Sequence, residues 1–512
     1  MKNGTFLVFL IAAALGAPAQ NQPDLTRSTV ATNVRQLITQ PLDESQRTVL
    51  KGNTHPLARW QYDVGGAPAN LPMDRMLLVL KRSPEQQTAL HELLDSQQDK
   101  FSPNYHKWLT PDSFGKQFGA SDSDIQIVNN WLQTHGFQVA QVSHGRTIIE
   151  FSGTAAQVQQ AFGTTIHQYM LNGQQHWANA TDPQIPAALA PVVAGVHSLH
   201  NFRKKPQLHV SPLQIKAKYA GGAHPQLTFP GNPPVHALAP ADYRKIYNAT
   251  QAISNGITGQ GVSIAVVGRS NLWDSGQDVA NFRGVFNLCC GNYYPTIFVN
   301  GPDPGNLGGG EEFEATLDVS WAGAVAPNAN VDFVVSASTN STDGVDLSEL
   351  YIIDNNLAPI MTESFGGCEA GVTSAEANGI AALAEQAAAQ GITYIVSSGD
   401  SGSAGCDLPT QTAATSGVSV NVLASSLYTV AVGGTMFNEN GQDSKYWSAQ
   451  NDPIDFGSVL SYIPEKVWNE SCTSATCGQK ASLWSTGRKQ HLLFQAFLAV
   501  GIWPERWQTR FA

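Results

Sequence analysis

The chain has 512 residues, too many for one compact domain and enough for two or three. Its 42% hydrophobic and 9% aromatic content supplies real cores, which excludes a disordered or fibrous polymer, and only 13% of residues are charged, about half the usual ~25%. A net charge of -11 excludes a nucleic-acid binder, which would show a basic excess, and six cysteines in so long a chain are no disulfide scaffold.

Charge is unevenly spread. Residues 1–240 carry 18 Lys+Arg against 14 Asp+Glu, a net of +4; residues 241–480 carry 7 against 25, a net of -18; residues 481–512 carry 4 against 1. Twelve of the 13 histidines precede residue 240 and the last is His491, so the acidic segment has none.

The N-terminus predicts a secretory signal over residues 1–19: Lys2, an apolar run from Phe6 to Leu15, and the small-residue site Ala17-Pro18-Ala19. That run is too short to span a bilayer and no later stretch reaches ~20 apolar residues, so no membrane role is expected. Export permits disulfides. Cys472 with Cys477 and Cys368 with Cys406 are possible pairs, and Cys289-Cys290 has several options.

Residues 73–178 alternate strand and helix. Met76–Leu80 is a buried strand, and Ser83-Pro84-Glu85-Gln86 gives a cap, an N1 proline and a capping-box glutamine for a helix to about Gln98. Ser121 caps a second helix, ended by Gly136. Phe137–Val142 and Thr147–Phe151 are strands, Thr154-Ala-Ala-Gln157 opens another helix, and Thr165–Met170 is a last strand. Two βαβ-like halves sharing a sheet suggest a small ferredoxin-like α+β domain. Residues 201–238 place Arg203-Lys204-Lys205, Lys216 and Lys218 among prolines and glycines, the composition of an unstructured linker. It reads equally as a processing site and as a solvated tether.

From residue 241 longer alternation begins. Strands are predicted at Val262–Val267, Val331–Val335, Pro359–Thr362, Thr393–Ser397 and Tyr428–Val432, and helices at Asp278–Phe286, Val345–Asn355 and Ser374–Gln390. This is an α/β pattern with a parallel sheet covered on both faces, where chemistry sits at the carboxyl ends of the strands. Glu314-Ala-Thr-Leu-Asp318 puts two carboxylates on one helix face at i, i+4. Spacing alone favours an ordinary solvated face. Ser398-Gly399-Asp400-Ser401-Gly402 ends a strand in a turn able to expose a side chain. It is no chymotrypsin-like nucleophile loop, because that chemistry needs a histidine base and this segment has none.

Together these pieces resemble the sedolisin (serine-carboxyl peptidase) family with its pro-kumamolisin activation domain, from about Pro56 to about Cys477. The likeness rests on Ser102-Pro103-Asn104-Tyr105-His106-Lys107-Trp108-Leu109-Thr110, Trp131-Leu132 with His135-Gly136-Phe137, and Phe151-Ser152-Gly153-Thr154. Further along it rests on Glu314 with Leu317-Asp318, Ala324-Val325-Ala326-Pro327, Ser364-Phe365-Gly366, the loop at Asp400 and Val432-Gly433-Gly434-Thr435. The resemblance implies a ferredoxin-like activation prodomain (residues 45–200), a linker (201–238) and a subtilisin-like peptidase domain (239–479) that is C-terminally incomplete, with an atypical tail (480–512).

It also implies roles. Glu314 would be the base that takes a proton from a serine, Asp318 would orient Glu314, and Asp400 would be a protonated donor at the oxyanion hole. A carboxylate base and a neutral aspartic acid both suit acid. The substrate would be a polypeptide, the prodomain would bind its own peptidase domain, and a secreted monomer is expected. The +4 and -18 segments are complementary at neutral pH, and acid would weaken that attraction.

The family's nucleophile lies in a Gly-Thr-Ser stretch, and no Gly-Thr-Ser occurs in these 512 residues. Calcium is expected for the family, but its site lies beyond the nucleophile and its ligands should be absent here, so no metal ligands are assigned. Residues 480–512 hold three of the eleven tryptophans and His491, which reads as a frameshift near residue 480 or as a divergent helix over Leu492–Val500. Loss of the last strands would leave the sheet edge open and the C-terminal half unstable. A different class of reading makes the chain a non-catalytic inhibitor or chaperone that acts through the prodomain.

Overall fold

The computed structural model describes residues 34–207, 228–229, 235–288, 291, 293–407 and 415–467. The signal sequence, Cys289-Cys290, Cys472 with Cys477, and the tail lie outside the described residues.

In the N-terminal unit, β1 (Asp63–Gly66) is followed by β2 (Pro72–Leu80) and α1 (Pro84–Gln98). Next come α2 (Pro111–Phe118), α3 (Asp122–Thr134), β3 (Gln138–Val142), β4 (Ile148–Thr154) and α4 (Ala155–Phe162), then β5 (Ile166–Leu171), β6 (Gln174–Asn179) and β7 (Val193–Val196). The expected capping boxes form: Ser83 with Gln86 starts α1 and Thr154 with Gln157 starts α4. The main sheet is antiparallel in the order β3-β4-β2-β7, the ferredoxin-like arrangement.

One sequence reading is corrected here. The strand expected at Thr165–Met170 exists as β5, but it pairs with β1 and β6 in a separate sheet, and the fourth strand of the main sheet is β7. Octapeptide helix α2 also went unread.

Strand β2 is buried continuously from Met76 to Leu80 because both of its faces are covered. Met76, Leu78 and Leu80 join Trp131, Phe151 and Phe162 in the unit's own core. Leu77, pointing the other way, joins Ile148 in the core of the C-terminal unit, with Ile380, Leu383 and Ala384. A strand period of two thus divides one apolar run between two cores, each full burial being worth about 1.5–3 kcal/mol.

In the C-terminal unit, β9 (Ser263–Gly268), β10 (Thr296–Val299), β11 (Asn330–Val335), β12 (Ile360–Glu363), β14 (Thr393–Ser397) and β15 (Val430–Val432) form a six-stranded parallel sheet. Its order is β10-β11-β9-β12-β14-β15. Helices α5 (Gln277–Val285) and α6 (Gly309–Val325) pack on Val266, Phe333 and Val335; α7 (Gly344–Asp354) and α8 (Ser374–Ala389) pack on Ala265, Val267 and Met361. The chain is therefore α/β with helices on both faces of a parallel sheet. Among the described residues β10 and β15 are the edge strands, and Val430 and Val432 of β15 are about half exposed.

The two units are joined along a polar seam. Arg82 pairs with Glu385, Lys204 with Asp346, His197 lies 3.3 Å from Asp346 and His200 lies 3.3 Å from Glu376. The described start of the linker is not a free tether. Strand β8 (Lys205–Pro206) pairs antiparallel with β13 (Phe365–Gly366), and the Gln207 amide donates to the Ser364 carbonyl at 2.8 Å. Pro206 is tolerated because this is an edge pairing. Among the described residues no helix is long and apolar enough to cross a membrane.

Candidate active site

The parallel sheet brings its carboxyl ends to one rim, and α6 crosses that rim. Glu314 is 1% exposed and Asp318 half-buried. Ser364, between β12 and β13, donates its hydroxyl to Asp318 Oδ1 at 2.8 Å and also reaches Glu314. Glu314 Oε2 and Asp318 Oδ2 are buried and have no hydrogen-bond partner among the described residues.

Burial, then the neighbouring Asp318 and Asp400, push Glu314 up to about 9. Burial pushes Asp318 up to about 7, opposed by the Ser364 hydroxyl. The charges of Asp318 and Asp400 thus add to burial in disfavouring the ionised form of Glu314. Glu314 therefore keeps its proton at neutral pH.

Asp400 follows β14. Gly399 before it has φ +93, a conformation that favours glycine, and a Cβ there would lie 2.9 Å from the Gln207 side-chain oxygen. The Asp400 amide donates to that same oxygen at 3.3 Å. The disulfide Cys368–Cys406, one of the pairs open in the sequence, ties the loop after β13 to the turn after Asp400. Asn421 holds the strand ends together, donating to the carbonyls of Ser397 (2.8 Å) and Phe365 (3.1 Å).

All three residues singled out in the sequence, Glu314, Asp318 and Asp400, therefore meet at one rim. Sequence reasoning missed the hydroxyl of Ser364, although it quoted the motif, and missed Asn421 and Arg269. Arg269 pairs with Glu311, one turn before Glu314, and with Asp343. Nothing local marks Arg269, because its partners lie 42 and 74 residues away.

Residues 60–202 match the family described as "Pro-kumamolisin, activation domain". Xanthomonalisin of Xanthomonas sp. (strain T-22) is 28% identical over 93% of the chain, and sedolisin of Pseudomonas sp. (strain 101) is 26% identical over 78%. Over most of its length the chain is similar to sedolisin-type peptidases. It spans 56% of xanthomonalisin and 62% of sedolisin. Human tripeptidyl-peptidase 1 is 29% identical over 79% of the chain and 68% of its own length. The solved Pseudomonas sedolisin, complexed with pseudo-iodotyrostatin, overlaps 48% of the chain and 62% of its own at 24% identity and TM-score 0.35. These sedolisin-type relatives are peptidases.

Calcium takes six to eight oxygen ligands. Among the described residues one His/Glu cluster has ligand atoms within 4.8 Å of one another, His55, His200 and Glu376. Two of its three donors are nitrogens, so it does not fit calcium.

Proposed function

We propose that this chain is the precursor of a secreted serine-carboxyl endopeptidase that acts in acid on polypeptides. Glu314 serves as general base, Asp318 as its orienting acid, and Asp400 as the protonated donor to the oxyanion. The observation that carries this reading is the rim itself: two buried carboxylate oxygens on α6 without a hydrogen-bond partner among the described residues, near Asp400 and a strand end that already holds an extended backbone.

Residues 205–207 lie along β13 as an added strand, a recognition mode that uses backbone hydrogen bonds for affinity. In the precursor the linker fills the edge a substrate would take. Residues 45–200 act as the activation prodomain, 201–238 as the linker that is cut, and 239–479 as the peptidase domain. With the linker gone, water reaches the rim and relieves the burial that holds Glu314 protonated, so its pKa falls towards the ordinary carboxylate range; the ionised Glu314 then takes the proton of a serine hydroxyl beside it as the oxygen attacks the peptide carbonyl. Asp318 holds the base, and the Asp400 acid donates to the developing oxyanion.

The Gly-Thr-Ser form of the nucleophile is not among the 512 residues. The test reads the gene in three frames across codons 470–512 and about 100 codons beyond, then expresses the frame that carries Gly-Thr-Ser. Cleavage of a denatured protein at acid pH, absent at neutral pH, is expected. No cleavage by a product carrying the motif refutes the reading. If the motif is nowhere, that absence favours the second reading, in which the prodomain acts as an inhibitor or chaperone and residues 21–200 bind an active relative.

A further inference from the structure

Lys204 lies within a cluster of like charges, Arg203-Lys204-Lys205, yet it is 7% exposed. Its ammonium bonds the Asp346 carboxylate, and its amide donates to Asp343 Oδ2 at 2.8 Å. Glu349, three residues along α7 from Asp346, is 1% exposed, as is Glu363 at the end of β12. The two meet at the Tyr394 hydroxyl, which reaches Glu349 Oε1 at 2.9 Å and Glu363 Oε2 at 2.5 Å. Lys204 interacts electrostatically with both glutamates. Asp346, Glu349 and Glu363 all belong to the C-terminal unit, and the cation among them comes from the linker. His197, also from the N-terminal unit, lies 3.3 Å from the other Asp346 oxygen.

The register shows what such a pocket reads. Lys205 stands opposite Gly366 and Pro206 opposite Phe365; the Gln207 amide bonds Ser364, and the Gln207 side chain meets the Asp400 amide. Gln207 is thus the residue held at the carboxylate rim, and Lys204 precedes it by three positions. A peptide added to β13 in the same register brings its own side chain to Asp346.

We propose that Asp346, with Glu349 and Glu363 behind it, forms a subsite that selects a lysine or arginine side chain three residues upstream of the residue held at Asp400, and that Lys204 is the precursor's built-in occupant. The Lys204 ammonium bonded to Asp346 shows that the cluster accommodates a side-chain cation. An apolar side chain there leaves a buried carboxylate unpaired, the costly alternative that makes such a pocket selective. Release of the prodomain also removes His197, so a substrate cation becomes the remaining partner of Asp346 among the groups described. The inference rests on the peptidase reading for its biological meaning, but the cation preference of the pocket can be measured without hydrolysis.

The test uses the full chain carrying Lys204→Ala, which empties the pocket while the rest of the seam stays paired. Millimolar n-butylammonium should raise the unfolding midpoint of this variant in a saturable way. It should leave the wild type unchanged, and n-butanol should have no such effect. Adding Asp346→Asn should abolish the response. Equal effects of amine and alcohol overturn the proposal. If Lys204→Ala does not accumulate folded, Lys204→Arg is compared with Lys204→Met: retention of the wild-type midpoint by arginine alone supports the pocket, and equal midpoints overturn it. In a hydrolytically active product, peptide-library profiling should show at least tenfold enrichment of Lys or Arg at that upstream position, lost in Asp346→Asn. Hydrolysis without enrichment overturns the subsite. A positive amine response with no hydrolysis from a motif-bearing product keeps the pocket and refutes the peptidase reading.

Discussion

Replacing Glu314 by glutamine probes the strained carboxyl rim directly. Glu314 is held at about 9 in the folded chain against 4.5 for the free side chain. A carboxyl raised in this way binds more protons folded than unfolded between those values, so stability falls as pH rises from 4.5 towards 9. The linkage relation gives a penalty of about 5 kcal/mol at pH 8 and about 1 kcal/mol at pH 5 as ceilings. An effective interior dielectric near 20 roughly halves the difference, to about 2 kcal/mol. Glutamine carries no charge at either pH and escapes the fall. Urea midpoints of wild type and Glu314→Gln at pH 5 and pH 8 measure it. The variant should gain about 2 kcal/mol relative to wild type on going from pH 5 to pH 8. An unchanged difference, or a loss that deepens at pH 8, would show that Glu314 is not held protonated by its surroundings.

Three further outcomes are expected. Burial, then His200, push His55 down to about 3, with Glu376, the Gly371 carbonyl and His176 also facing it. A buried histidine with a lowered pKa costs docking stability as pH falls from 6.5 towards 3. Burial raises Glu376, but His200 outweighs it and holds the carboxyl at about 2, so this pair is lost only as pH falls from 4.5 towards 2. Exchange of the Gln207 amide, corrected for its intrinsic rate, should therefore quicken between pH 6.5 and 4.5 in wild type but not in His55→Asn; equal profiles would contradict this. Removing the disulfide by Cys368→Ser with Cys406→Ser opens a 38-residue loop and should lower stability by up to about 4 kcal/mol in urea titration. Leu77→Ala removes a side chain from the seam between the units and should cost about 2–5 kcal/mol, with faster exchange in β2 and α8 together; exchange confined to β2 would place Leu77 in the wrong core.

Local chemistry made much of the fold legible. Ser83 with Gln86 and Thr154 with Gln157 announce helix starts through reciprocal caps, which depend only on residues three apart. The sheet partner of a strand is a long-range fact. Ile166–Leu171 reads as a strand whichever sheet it joins, and Val193–Val196 is too short to stand out after Pro191. Helix α2 carries Gly115 inside eight residues, which weakens its pattern. Glu314 and Asp318 were visible because both sit on one helix with a resemblance to support them. Lys204 was not, because three consecutive cations read as solvated and its partner lies 142 residues away. The charge split foresaw attraction between the halves. The seam adds that Glu376 and Asp346 stay ionised in mild acid while docked, because His200, Lys204 and His197 outweigh the effect of burial on them.

The most direct measurement compares hydrolysis of a denatured protein at acid pH by the Gly-Thr-Ser-bearing gene product and by its Glu314→Gln and Asp318→Asn variants. Loss of the base, or of the group that orients it, should lower kcat roughly a thousandfold or more with KM little changed. Variants that retain wild-type kcat would contradict the assignment of Glu314 and Asp318 as the working carboxylates.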